Sequence, residues 1–169
     1  ELGEEKGVYA ISREDPAPRR ESKLFYYCMW ERKLGLYALE KGDTVFIYDT
    51  KHRAIVCKTE VTKVIKNSYE SKDSVRSQLV NNFGVDPVVD DQIFFEDKGD
   101  EGYFIAFRAK ILERHLFVKK PERYDFPLTG WTRFSREKEK LWLFQAEEEA
   151  NESRWEREGD VYDSDIGDE

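Results

Sequence analysis

The chain has 169 residues, 38% of them charged and 14% aromatic, with a net charge of −8. The aromatic share argues against a disordered chain, and no apolar run approaches the roughly 20 residues of a membrane helix. The acidity is uneven: residues 147–169 hold eleven acidic residues against two arginines, so the body is close to neutral. A nucleic-acid ligand for the body is therefore not excluded by overall charge. The opening "ELGEEKGVYAIS" lacks a basic stretch followed by an apolar one, so no signal peptide is expected. Cys28 and Cys57 stand alone, with neither a metal motif nor a disulfide framework, which suits a reducing, cytoplasmic setting. The prevalence of Glu, Lys and Arg over Asn and Gln hints at a heat-adapted source.

In chain order, "GVYAIS" (7–12) reads as a strand and "REDPAPRRES" as a polar loop. From Ser22 to Leu34 the apolar residues Leu24, Phe25, Cys28, Met29 and Leu34 suggest a helix, with Gly35 as its C-cap. "DTVFIYD" and "RAIVCKTEVTKVI" around "TKHR" predict a hairpin. "ESKDSVRSQLVNNFG" predicts a second helix: Val75, Leu79 and Phe83 share a stripe, Ser71 or Asp73 caps the start and Gly84 ends it. "VDPVVDD" reads as a loop, and "QIFFE" and "GYFIAFRAKILERHLF" as a further hairpin across "DKGDE". "KKPERYDFPLTGW" looks irregular. "SREKEKLWLFQAEEEANESRWERE" predicts a closing helix with Leu141, Phe144 and Trp155 facing inward, then an acidic linker. Short turns between strands argue against a doubly wound sheet. The expected class is α+β, a curved or barrel-like sheet flanked by short helices, with a domain over 1–145 and an acidic helical extension and tail over 146–169.

Catalytic chemistry is not suggested. His52 lies in a hairpin loop and His115 late in a strand, neither beside a nucleophile. Gly99 and Gly102 are spaced as a turn, not a phosphate-cradling loop. "DPVVDD" lacks further metal ligands at set spacing. No cofactor and no metal are expected, and the chain reads as a binding domain, not an enzyme. The aromatics say more. Phe46, Phe107 and Phe144 are expected in the core, whereas Tyr37 and Tyr103 fall at element ends, where rings often line a concavity.

The segments "VYAISRED", "FYYCMWERKLGLYAL" and "EKGDTVFIYDTKHRAIVCKTEVTKVI" together resemble the opening of the EVE domains, PUA-like modules related to the YTH readers of N6-methyladenine. The family's first strand, which ends in small polar residues, matches Ile11-Ser12-Arg13, and the polar residues just after it fall on Ser12, Arg13 and Glu14. Its Gly-Val-Trp step matches Gly35-Leu36-Tyr37, and its Lys-Pro-Gly-Asp turn matches Glu40-Lys41-Gly42-Asp43. The later "YFIAFRAKILERHL" and "TGWTRFSREKEKLWLF" resemble the long strand and closing helix, so most of 7–145 is covered. Two positions depart from the pattern: Tyr37 replaces the pocket tryptophan, and Arg13 the usual asparagine.

The resemblance implies a PUA-like fold and a non-enzymatic reader that flips a modified, N6-methyladenine-like base into an aromatic pocket. Tyr37 and Tyr103 would be walls, Ser12 and Arg13 would face the base edge, and Trp131 would be a third wall or core filler. Phosphate contacts would come from Arg13, Arg19, Arg20, Lys51, His52, Arg53, Lys119, Lys120, Arg123, Arg133 and Arg136. Base flipping needs a few kcal/mol, of which aromatic stacking returns about 1–3 per base. Modules of this kind also serve as specificity domains of McrB-type restriction systems, where a motor or nuclease is fused or partnered. That favours modified DNA, with RNA as the alternative and a protein-interaction module with an aromatic peptide groove as the other. No membrane association is expected.

Overall fold

The computed structural model describes residues 7–13, 23–33, 35–90, 92–127, 130–135, 137 and 139–152. Its strands are β1 (Val8–Arg13), β2 (Lys23–Trp30), β3 (Thr44–Asp49), β4 (Ala54–Tyr69), β5 (Gly102–Glu113), β6 (Val118–Lys119) and β7 (Trp131–Arg133). The helices are α1 (Lys72–Phe83), α2 (Pro87–Asp90), α3 (Gln92–Glu96) and α4 over residues 139–152, with a 3-10 turn at Gly35–Ala38. The strand order is β2-β5-β4-β3-β1-β7, with β6 beside β4. β1 pairs parallel with β3, and the other pairs are antiparallel.

One face of the sheet closes on itself. Tyr9 and Ile11 of β1, Leu24 of β2, Val45 and Ile47 of β3, Cys57 and Val61 of β4, and Ile105, Phe107 and Ala109 of β5 form a single buried cluster. Strands at opposite ends of the order meet in that cluster because the sheet curls into a half-barrel. β4 makes the bend. It is 16 residues long, with register shifts between Lys58 and Thr59 and between Val61 and Lys63. Such bulges increase local twist. The outer face carries two further clusters. One packs Val75, Leu79 and Phe83 of α1 against Tyr27, Met29, Phe104 and Ala106. The other packs Trp142, Ala146 and Ala150 of α4 against Ala10, Phe46, Tyr48 and Ile55.

Four sequence expectations are corrected. The segment 22–34 is the strand β2, not a helix. Leu24, Tyr26 and Cys28 point into the barrel while Phe25, Tyr27 and Met29 point to α1, so both faces are covered. A strand covered on both faces is apolar throughout and loses its period of two, while its aromatic residues favour extended backbone. "QIFFE" is the helix α3, not a strand. β5 already pairs with β2 on one edge and β4 on the other, which leaves no edge for a hairpin partner. "DPVVD" contains the short helix α2, with Pro87 as its first residue and Asp86 accepting from Val88 N–H at 3.1 Å. In α4 the inward residue is Trp142, fully buried, whereas Leu141 and Phe144 are each 59% exposed. Trp155 lies outside the described residues.

The remaining elements agree with the sequence reading. β1, the β3–β4 hairpin and α1 lie where expected, and Ser71 accepts from Asp73 N–H at the start of α1 while Gly84 ends it at φ +70°. Phe46 and Phe107 are buried. The turn Glu40–Asp43 joins the start of β1: the Asp43 carboxylate accepts Gly7 N–H at 3.0 Å and Glu40 N–H at 2.8 Å.

Candidate functional site

The 3-10 turn crosses the barrel between β7 and β5, held at both ends. Leu36 and Leu39 are buried in the barrel cluster, and Leu39 N–H donates to the Leu36 carbonyl at 2.9 Å. Gly35 lies against Trp131, where an added Cβ would stand 2.9 Å from the indole Cη2. The turn approaches that closely because glycine has no side chain. Lys66, on the inward parity of β4 two residues after Val64, reaches across from the sheet. Its ammonium donates to the carbonyls of Tyr37 (2.8 Å) and Leu39 (2.9 Å) and to Glu40 Oε1 (2.8 Å).

Tyr37 is thereby fixed between two anchors and half-buried. Its ring meets Tyr103, at the start of β5, edge to face, with centroids 5.9 Å apart and planes at 85°. Lys33 Nζ stands 5.0 Å from the Tyr37 centroid and Lys66 Nζ 5.8 Å. Burial, with a smaller contribution from Tyr103, raises the Tyr37 phenol above its ordinary pKa, so it is a neutral donor at physiological pH. A cleft of about 490 Å³ opens here, lined by Lys33, Gly35, Tyr37, Ala38 and Lys66. That volume is within the ~300–1,000 Å³ range of small-ligand sites.

The tyrosines form a corner, not a slot. A ring held between two parallel walls needs them about 7 Å apart, two contacts of ~3.5 Å. Perpendicular rings in mutual contact leave no such gap, so a planar ligand stacks on one ring and abuts the other. Lysines 33 and 66 complete the corner. The sequence reading named neither; the usable signal was a lysine at an inward-facing strand position.

The other expected pocket residues spread along the barrel. Trp131 packs on the barrel cluster and on Gly35, supporting the turn. Ser12 binds the loop before β7: its N–H and Oγ donate to the Gly130 carbonyl at 2.8 and 3.3 Å. Arg13, at the end of β1, is directed elsewhere. Its carbonyl accepts Thr50 N–H, and its charge reaches the Tyr26 hydroxyl. That phenol is raised mainly by burial, with Arg13 opposing the shift.

The expected phosphate contacts also divide. Lys51, Arg53 and Lys119 are exposed around the β3–β4 turn and β6, where Lys120 N–H donates to the Arg53 carbonyl at 2.9 Å. Lys120 Nζ donates to the carbonyls of Pro121 and Tyr124. His52 Nδ1 pairs with Asp49, whose carboxylate is nearly fully buried. Burial raises the Asp49 pKa, but hydrogen bonds from His52 and from Lys51 N–H outweigh it and leave the carboxyl lowered. Arg123 lies in the loop after β6, at φ +62°. Arg133 stands apart, its guanidinium 5.7 Å from the Tyr9 ring. Arg19, Arg20 and Arg136 lie outside the described residues. Among the described residues no group of three or more His, Cys, Asp or Glu gathers as a metal site, and no helix is long and apolar enough to cross a membrane.

Neither a family model nor a curated protein matches the sequence. Solved structures do match by fold. A serine-to-alanine mutant of the ASCH protein from Zymomonas mobilis superposes with a TM-score of 0.53 at 14% identity, over 82% of this chain and 94% of that one. A tyrosine-to-phenylalanine mutant of the same protein gives 0.51 at 12% identity, over 82% and 96%. The fold shared with these ASCH structures is an α+β one, a curled half-barrel sheet with short helices. ASCH, not EVE or YTH, is the type represented among these neighbours.

Proposed function

We propose that this domain binds nucleic acid and holds one unstacked base against the Tyr37–Tyr103 corner. The observation that carries the reading is the corner itself: two rings at right angles on a PUA-like fold, with two lysine ammoniums near the Tyr37 ring, which lines an open cleft, and Tyr103 at the edge of the neighbouring one. A base stacks on one ring, its edge abuts the other, and Lys33 lies where a flanking phosphate or a base carbonyl would be. Stacking supplies about 1–3 kcal/mol, which offsets only part of extrusion from a duplex. Single-stranded or locally opened substrates are therefore favoured.

In its finer form the ligand is a modified base of N6-methyladenine type in DNA, as the sequence resemblance implies, with RNA as the other nucleic acid to be tested. A methyl group contributes only about 0.8 kcal/mol by burial. Discrimination therefore comes from leaving the unmodified amine's second N–H unpaired against the Tyr103 edge. On this reading the domain is not an enzyme, and any cleavage or strand movement belongs to a fused or partner motor or nuclease.

The test is a binding panel of methylated and unmodified single strands and duplexes, DNA and RNA, against the parent, Tyr37→Ala and Tyr103→Ala. The expected result is a loss of about tenfold or more for each alanine variant on single strands, with the fold intact by circular dichroism. Parent-like binding by both variants would remove the corner from the reading. Binding of a peptide library with no nucleic-acid binding would favour an interaction module instead.

A further inference from the structure

The corner stands between an acidic end and a basic end of the barrel, and β4 runs from one to the other. At the C-terminal end of β4 lies a cleft of about 750 Å³ that Tyr103 itself lines, together with Glu31, Glu70, Asp97, Asp100 and Glu101. Lys98, the cation in that lining, has its ammonium 5.3 Å from the Trp30 ring. At the N-terminal end of β4 lie Arg53, Lys51, Lys119 and Lys120, and the end of β1 reaches the same place through the Arg13 carbonyl, which accepts Thr50 N–H. The carboxylates near that end are Asp49, which is buried and bonded to His52, Glu122 and Asp125 in the following loop, and Glu149 of α4, which is occupied in accepting Phe117 N–H at 2.6 Å. Contacts lead from the corner toward the basic end: Tyr37 follows Gly35, Gly35 packs on Trp131, Gly130 accepts from Ser12, and Ser12 precedes Arg13.

Resting on the base-binding reading above, we infer that the site has a polarity: a strand whose base occupies the corner leaves it in one direction only, along Trp131 and Ser12 toward Lys51, Arg53 and Lys119. The acidic cleft repels phosphates on the other side. The preferred ligand is a single strand with the bound base at or next to one terminus. Phosphate contacts along the basic end add affinity without adding sequence information.

The test is fluorescence anisotropy with four labelled DNA strands and their RNA counterparts. Each has one N6-methyladenine, carrying four thymidines (uridines in RNA) on its 5′ side, on its 3′ side, on both, or on neither. Lengthening on one side is expected to raise affinity tenfold or more, and lengthening on the other by less than twofold. The triple variant Lys51→Ser, Arg53→Ser, Lys119→Ser is expected to abolish the gain from the favoured side. It should also flatten the log K against log salt slope by about 0.7 per lost contact. Equal gain from both sides, or a favoured side that survives the triple variant, overturns the inference while leaving the corner in place. Failure of every strand to bind, or tail-dependent binding indifferent to Tyr37→Ala, overturns the corner reading and this inference with it.

Discussion

Replacing Lys66 with methionine isolates what pins Tyr37. Methionine keeps most of the aliphatic stem and deletes the ammonium that donates to the Tyr37 and Leu39 carbonyls and to Glu40. Hydrogen bonds to a charged group contribute about 1.5–3 kcal/mol each. The Glu40 side chain is 68% exposed, so that arm contributes at most ~1 kcal/mol. The two carbonyl bonds at the low end of the range would give about 3 kcal/mol, reduced because water reaches part of the site. The net expected loss is about 2 kcal/mol, concentrated in the turn. Urea denaturation reads the global loss. Hydrogen exchange at Leu39, whose amide closes the turn onto Leu36, reads the local one, and about 2 kcal/mol corresponds to about 30-fold faster exchange. Strand binding is expected to fall at least tenfold, because the corner loses its fixed angle. If the Leu39 amide stays within about twofold of the parent in a folded Lys66→Met protein, the turn is not pinned by this lysine.

Gly35→Ala places a methyl 2.9 Å from the Trp131 indole, and is expected to destabilise by about 1–3 kcal/mol and to shift tryptophan emission. A stability loss under about 0.5 kcal/mol would show that the turn can move away freely. Glu139→Ala strips the fully buried carboxylate that accepts from Tyr124 Oη, Thr132 Oγ1 (2.9 Å) and Ser135 N–H (3.2 Å). Stranding those donors is expected to cost about 2–3 kcal/mol by denaturant titration; a neutral result would mean that water replaces it. The pH profile has two limbs. Asp49 is lowered in the folded state, so its contribution is complete above the unfolded value near 3.9 and disappears as pH falls below it; Asp49→Asn should lack that part of the acid limb. Tyr9, Tyr37, Tyr48 and Tyr69 are raised, chiefly by burial, so stability should fall as pH rises above about 10. Thermal melts from about pH 3 to 11 check both limbs, and a flat alkaline limb would contradict the burial assignment.

Where local pattern and tertiary demand agree, the sequence was readable. α1 shows its stripe, its Ser71 cap and its Gly84 stop, and the β3–β4 hairpin shows its turn. Reading failed where burial on two sides removes the period, as in β2, and where topology overrides propensity, as in "QIFFE", which β5 has no free edge to receive. It failed by one step in α4. Ala146 and Ala150 let the helix sit close to the sheet around Trp142, while the larger Phe144 stays outside. Tyr37 and Tyr103 were singled out because they end elements, and the structure brings them into contact. Their right angle, and the two lysines beside them, depend on the path of the turn across the barrel, which no local pattern encodes.

Whether a base touches Tyr37 and Tyr103 is tested most directly by photocrosslinking, with the intact domain, a short single strand carrying one halogenated base, and mass-spectrometric mapping of the adduct. Adducts on Tyr37 or Tyr103, lost in the respective alanine variants, are the expected result. Adducts confined to other exposed rings, such as Trp30, Phe117 or Phe144, would contradict it.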